Sequence, residues 1–298
     1  MKETRTRRRL IAATATGITL FSVAAWAHAQ SGLSLKVITS SPGSLNTNFT
    51  LIQGESQAVL VDVPFLRSDA YRLVADILDS GKTLTTIIVT HAHPDHYFTL
   101  DVLRDAFPNA RAIAAPVVVA DVWSGFPNRL AFWQPLIGAN APRYPMIPTA
   151  FEETAFELEG HRIEILGPMT GDAPNSTAVH VPDLRAVIAG DIVFNQVHVY
   201  AGGKEERAAW VATLDRLLAL EPEIVVAGHT QPNLPNTRAG LEYTRHYLLR
   251  FEQAIGEAES AEELMAIMRR EFPNAIDFQG DFILTSTATA AMREKNGE

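Results

Sequence analysis

Apolar residues recur along this chain in two rhythms. Short alternating or β-branched runs predict strands at Leu35–Thr39, Asn48–Gln53 and Gln57–Val63, with Gly54-Glu55 as the turn between the last two. Ser68 then reads as the cap of a helix that carries Ala70, Val74, Ile77 and Leu78 on one face and stops at Gly81. Leu84–Thr90 suits a buried strand, Phe98–Ala106 a helix and Ala110–Ala114 a further strand. Residues 117–150 hold Trp123, Phe126, Phe132 and Trp133 and predict a helix followed by an irregular loop. Strands resume at Ala155–Leu158, Arg162–Leu166, Thr177–Val181 and Arg185–Ile188. A helix at Arg207–Leu220 with Trp210, Leu214 and Leu217 on its apolar face leads to a strand at Glu223–Ala227. Helices near Arg238–Ala258 and Ala261–Phe272 and a final strand near Phe282–Leu284 complete the pattern. This order describes an α/β domain made of two similar halves.

The 298 residues are 47% apolar, which is ample for one packed core. The absence of cysteine excludes disulfides, thiolate metal clusters and a thiol nucleophile, leaving His, Asp and Glu as the main metal ligands. A formal charge of −9 argues against a nucleic-acid partner or a polybasic membrane anchor. The N-terminus differs from the rest. Lys2, Arg5, Arg7, Arg8 and Arg9 precede an uncharged apolar run from Leu10 to Ala27, and Ala27-His28-Ala29 is a small-x-small pattern. This predicts a signal peptide over residues 1–29, a domain over residues 30–298, and an exported, periplasmic protein with no membrane segment after cleavage. The Thr6–Ile11 stretch also resembles a twin-arginine signal. Without residues 1–29 the chain keeps 20 basic and 33 acidic residues, a charge of −13.

Directly after the Leu84–Thr90 strand comes His91-Ala92-His93-Pro94-Asp95-His96. Four potential ligands in six residues, on a loop that follows a buried strand, point to a metal site. Imidazole and carboxylate together suit zinc, manganese or iron. No G-x-S-x-G elbow is present to offer a serine nucleophile instead.

The HxHxDH pattern resembles the signature of the metallo-β-lactamase fold superfamily. Asp191 in Ala189-Gly190-Asp191-Ile192-Val193-Phe194 and His229 in Val225-Val226-Ala227-Gly228-His229 look like that family's later Gly-Asp and Gly-His pieces. Asp62 in Val59-Leu60-Val61-Asp62 resembles its buried supporting aspartate. The resemblance implies a four-layer αβ/βα sandwich and two metal ions, expected to be Zn2+, with Mn2+ or Fe2+ also compatible. His91 and His93 would hold the first ion, Asp95, His96 and His229 the second, and Asp191 would bridge them.

One expected ligand is missing. Relatives often carry a Gly-His-Thr-Pro stretch, and Gly171-Asp172-Ala173-Pro174 resembles the matching one, so Asp172 stands where the imidazole would be. It is either an oxygen ligand or a turn residue, and His180, in mid-strand, is the competitor. The resemblance further implies a hydrolase in which metal-bound hydroxide opens a small ester, lactone or amide, a β-lactam among them. Asp95 would orient the nucleophile, and Tyr97 and Trp123 would contact the substrate. A mononuclear iron dioxygenase on the same fold, or a periplasmic binding protein with a degenerate site, are the other readings. Oligomeric state is not indicated.

Overall fold

The β-branched runs pair into two sheets whose alternating side chains feed different cores. A computed structural model describes residues 32–277 and 280–297, so the expected signal peptide lies outside the described residues. The first sheet joins β1 (Ser34–Thr39), β2 (Asn48–Gln53), β3 (Gln57–Val61), β4 (Thr83–Ile88), β5 (Arg111–Ala114) and β6 (Thr149–Ala150) in chain order. It is antiparallel from β1 to β3 and parallel from β3 to β6. The second sheet comprises β7 (Ala155–Leu158), β8 (His161–Met169), β9 (Ser176–Val181), β10 (Ala186–Ile188) and β12 (Ile224–Val226), in the order β12-β10-β9-β8-β7. Two short strands, β11 (Phe194–Asn195) and β13 (His229–Thr230), pair in parallel.

Period-two alternation sorts the strand residues into layers. Val59, Val61, Ile88 and Ile113 of the first sheet meet Ile163, Ile165, Val179, Val181 and Ile188 of the second in a core between the sheets. Leu60, Ile87 and Ala112 face the other way, against α1 (Arg67–Asp79), α3 (Leu100–Ala106) and α4 (Pro116–Ile137). Behind the second sheet, Ala178, Val187 and Val225 pack on α5 (Lys204–Leu218), α6 (Ala239–Glu257), α7 (Ala261–Glu271) and α8 (Phe282–Asn296). Helices, sheet, sheet, helices: the four-layer αβ/βα sandwich is the observed architecture.

Local expectations fail where a distant group does the work. Ser68 does not cap α1; Leu66 stands at the N-cap without a side-chain bond. The amides of Leu66 and Ser68 donate instead to Ser44 Oγ and Asn140 Oδ1, both at 3.1 Å. The helix expected at Phe98–Ala106 is α3, begun at Leu100, and a separate helical turn, α2 (Pro94–Tyr97), precedes it. Phe282–Leu284 is the first turn of α8 and not a strand. The Asp277 carboxylate accepts from Ile283 N at 3.0 Å and Leu284 N at 2.9 Å, satisfying amides that a helix start leaves open.

Ile88, fully buried between the sheets, ends the strand that delivers the histidine-rich loop. Ile88→Ala is expected to lower the unfolding free energy by about 2–5 kcal/mol, with an unchanged urea m-value.

Candidate metal centre

β3 ends one residue before a buried carboxylate. Asp62 adopts a left-handed φ of 62° and is 1% exposed. Its Oδ1 accepts from Thr90 N at 2.8 Å, and its Oδ2 accepts from Thr90 Oγ1 and His96 Nδ1, each at 2.8 Å. One side chain thus fixes both ends of the segment from Thr90 to His96. Pro94 shapes the middle. The residue before a proline is steered to extended backbone, and His93 has φ −87° and ψ 141°. Proline itself opens a helical turn, α2, on which Asp95 and His96 lie.

The imidazoles are oriented by what their outer nitrogens bond. The Thr90 hydroxyl donates to Asp62, so it accepts from His91 Nδ1 at 3.0 Å. His229 Nδ1 donates to the Leu45 carbonyl at 2.8 Å. These bonds turn Nε2 of His91, His96 and His229 towards the Asp191 carboxylate, at 3.4, 3.1 and 3.3 Å. His93 is turned the other way and presents Nδ1, 2.9 Å from Asp172 Oδ2 and 3.8 Å from Asp191 Oδ2.

Glycines admit the second half of the site. A Cβ on Gly190, whose φ is +49°, would fall 2.6 Å from Thr90 Oγ1, and one on Gly228 would fall 1.9 Å from Asp191 Oδ1. The Gly-Asp and Gly-His pieces are therefore packing requirements: only a bare backbone lets these chains close on the carboxylate. Asp172 N donates to the Asp191 carbonyl at 3.2 Å, and Thr177 N and Oγ1 donate to the Thr90 carbonyl at 2.9 and 2.7 Å.

Two groups of ligand atoms result, each mutually within 4.8 Å: His91, His93, Asp172 and Asp191, and Asp95, His96, Asp191 and His229. Asp191 belongs to both. His91 Nε2, His96 Nε2, Asp172 Oδ1 and Asp191 Oδ1 are buried without a hydrogen-bond partner. His96 Nε2 and Asp191 Oδ1 stand 3.1 Å apart without the alignment of a bond. Buried polar atoms left so are costly, and cations between them would satisfy all four. The donor set, imidazole and carboxylate with no thiolate, fits a divalent metal.

Charge tells the same story. Burial opposes the protonated imidazole of His93, but Asp172 and Asp191 outweigh it and hold the ring at about 10. His229 reaches about 10 against the same burial, through Asp191 and Asp95. His96 is raised similarly, by Asp191, Asp62 and Asp95. Burial pushes Asp95 and Asp191 up, yet the surrounding imidazoles hold both below the usual carboxylate range. Asp172 moves the opposite way, raised by its burial and by Asp191 despite the pull of His93.

The centre floors a cavity of about 300 Å³ lined by Leu45, Trp133, Phe194, Tyr200, Phe282 and Ile283, with Arg129 and the site's own His93, Asp95, Asp172, Asp191 and His229. Two expected substrate contacts are not among its walls. Tyr97 is wholly buried, its ring against Phe98 and Phe126, because successive residues on a helical turn diverge by about 100° and Tyr97 points away from the metal face. Its hydroxyl is pushed up to about 12 by burial, against the pull of the Arg129 guanidinium. Trp123 is 71% exposed on the outer face of α4, and Trp133 instead lines the cavity beside the ligand groups. His180 pairs with Glu164 at 2.8 Å, outside both ligand groups. Sequence reasoning missed the supporting contacts of Thr47, Leu45 and Thr90, and it missed Arg129; only for Thr90, next to the motif, was a signal at hand.

A family model described as the metallo-beta-lactamase superfamily matches residues 42–229. Among curated proteins, the linear primary-alkylsulfatase of Pseudomonas sp. (strain ATCC 19151) is 21% identical over 219 residues, 61% of this chain and 41% of that protein. The uncharacterized protein YobT of Bacillus subtilis (strain 168) is 32% identical over 76 residues, 26% of this chain and 32% of YobT. The matches thus span less than half the length of these relatives. The crystal structure of a metallo-beta-lactamase family protein from Thermus thermophilus superposes with a TM-score of 0.63 at 24% identity, over 89% of this chain and 94% of that one, a likeness of fold.

Asp62→Ala should weaken metal binding about 10- to 100-fold in competition with a chromophoric chelator, by releasing Thr90 and His96. Cations must also displace the protons that the carboxylates hold on His93 and His229. Metal affinity is therefore expected to rise from about pH 6 to about pH 9, with proton release seen as a buffer-dependent heat in titration calorimetry.

Proposed function

The chain belongs to the metallo-beta-lactamase superfamily, and from that premise we propose that it is a binuclear metallohydrolase that opens a small, partly apolar ester, lactone or amide. One observation carries the reading: two ligand groups share Asp191 at the floor of a largely apolar cavity. His91, His93, Asp172 and Asp191 would hold one cation and Asp95, His96, Asp191 and His229 the other. Zn2+ is the proposed metal, and the oxygen-rich first group also accommodates Mn2+ or Fe2+. Bound there, the pair of ions would acidify water and polarise the electrophile.

The chain's own groups supply the rest. Asp95 Oδ2 accepts from Thr47 Oγ1 at 3.1 Å and lies 3.2 Å from His229 Nε2. Held in its charged form, it is an acceptor able to orient an attacking water and to carry its proton to the leaving group. Leu45, Trp133, Phe194 and Phe282 exclude bulk water and offer apolar area to the substrate. Asp172 stands 2.9 Å from His93 and takes the place of the absent histidine. The basic and then apolar run of residues 2–27 supports export, so the substrate would be met outside the cytoplasm.

The test couples metal analysis of the purified protein to a screen of carboxylic esters, lactones, amides, β-lactams and alkyl sulfates. Two equivalents of metal, and turnover that a chelator abolishes and added metal restores, are expected. One iron with oxygen-dependent turnover would overturn the reading. Asp172→Ala should lose about one equivalent of metal, and Asp172→His should retain both. Unchanged stoichiometry in Asp172→Ala would return Asp172 to a turn residue.

A further inference from the structure

The cavity carries one cation that the hydrolytic reading leaves idle. Arg129 projects from α4 one turn before Trp133, and both side chains line the cavity. Among the described residues that line it, Arg129 is the one Arg or Lys; its side chain donates to a main-chain carbonyl and neighbours the Tyr97 hydroxyl, and no carboxylate is paired with it.

Its placement is built into the helix. Nη1 donates to the Asp121 carbonyl at 3.0 Å, so the side chain runs back along α4. The guanidinium occupies the space above Gly125, where a Cβ would fall 1.9 Å from Nη1 and 2.4 Å from Cζ. The Asp121 carboxylate is engaged elsewhere, accepting from Asn175 Nδ2 at 2.8 Å, three residues beyond Asp172. Of the five N–H donors of a guanidinium, the Asp121 carbonyl and the neighbouring Tyr97 hydroxyl engage part of the set, and the rest of the planar fork can meet a two-oxygen anionic edge. Around it the walls are apolar: Trp133, Phe194, Tyr200 and Phe282.

We propose that Arg129 determines specificity by pairing with the anionic head group, carboxylate or sulfate, of an amphiphilic substrate whose hydrocarbon part lies along Trp133 and Phe282. The assignment rests on the hydrolase reading for what becomes of that substrate, but its binding does not depend on turnover.

Equilibrium binding to the metal-loaded protein tests it, with octyl sulfate, octanoate and octanol as probes below their micellar concentrations. Both anions should bind about tenfold or more tighter than octanol, and their ranking identifies the preferred head group. Arg129→Gln should lose about 10- to 100-fold for the anions while octanol changes less than twofold. Gly125→Ala keeps the charge but fills its slot and should lose anion affinity in the same direction. Alanine favours a helix interior over glycine, so this variant's thermal midpoint should not fall. Arg129→Lys should fall between, as a point charge without the fork.

Anions no tighter than octanol, an anion affinity untouched in Arg129→Gln (binding on the metals alone), or equal losses for octanol (a collapsed wall) would each overturn the proposal. If the binding contrast holds while no compound in the hydrolase screen is cleaved, the hydrolytic reading fails and the recognition role stands.

Discussion

A single buried carboxylate underlies the arrangement. Asp62 leaves β3 in a left-handed conformation and accepts three hydrogen bonds, two from Thr90 and one from His96. Such a group is costly to bury unless its oxygens are satisfied, and these are. In satisfying them, the chain fixes where its metal loop begins, where it ends, and which nitrogens of His91 and His96 face inward. The loop's other supports are single bonds added to this frame.

The centre itself is a deliberate excess of unlike charge. Three carboxylates and four imidazoles crowd the largely buried floor of the cavity, and several of their atoms find no partner among one another. Protein interiors seldom tolerate this without a further ion. Asp191 is the focus, reached by imidazoles from both halves of the chain. The bare backbones of Gly190 and Gly228 let it be so closely surrounded.

Much of this was legible in the sequence, and what was not has a physical cause. The strands of both sheets read clearly because their β-branched runs alternate or are buried on two faces, and HxHxDH stands out because four ligands share six residues. Asp172 announced itself as a departure from an expected histidine. Tyr97 and Trp123 misled because adjacency in sequence, or aromatic character, says little about which side of a helix faces a cavity. Phe282–Leu284 resembled a strand since its cap, Asp277, lies outside the helix it serves. Arg129 was invisible: its meaning comes from Gly125 one turn away and from a cavity assembled by segments distant in sequence.

The bonds that join the two halves have a consequence for how the molecule forms. Thr177 reaches back to Thr90, Asn48 forward to the Gly228 carbonyl, and His229 to Leu45 across most of the chain. Neither ligand group exists in a half-folded molecule, since each draws on residues from both sheets. Contacts of such wide sequence separation close late and slowly in folding. Metal held there would therefore act as a latch on the finished topology. It would bind the docked state and not its precursors, and would stabilise that state by mass action, more so the more free metal the surroundings hold.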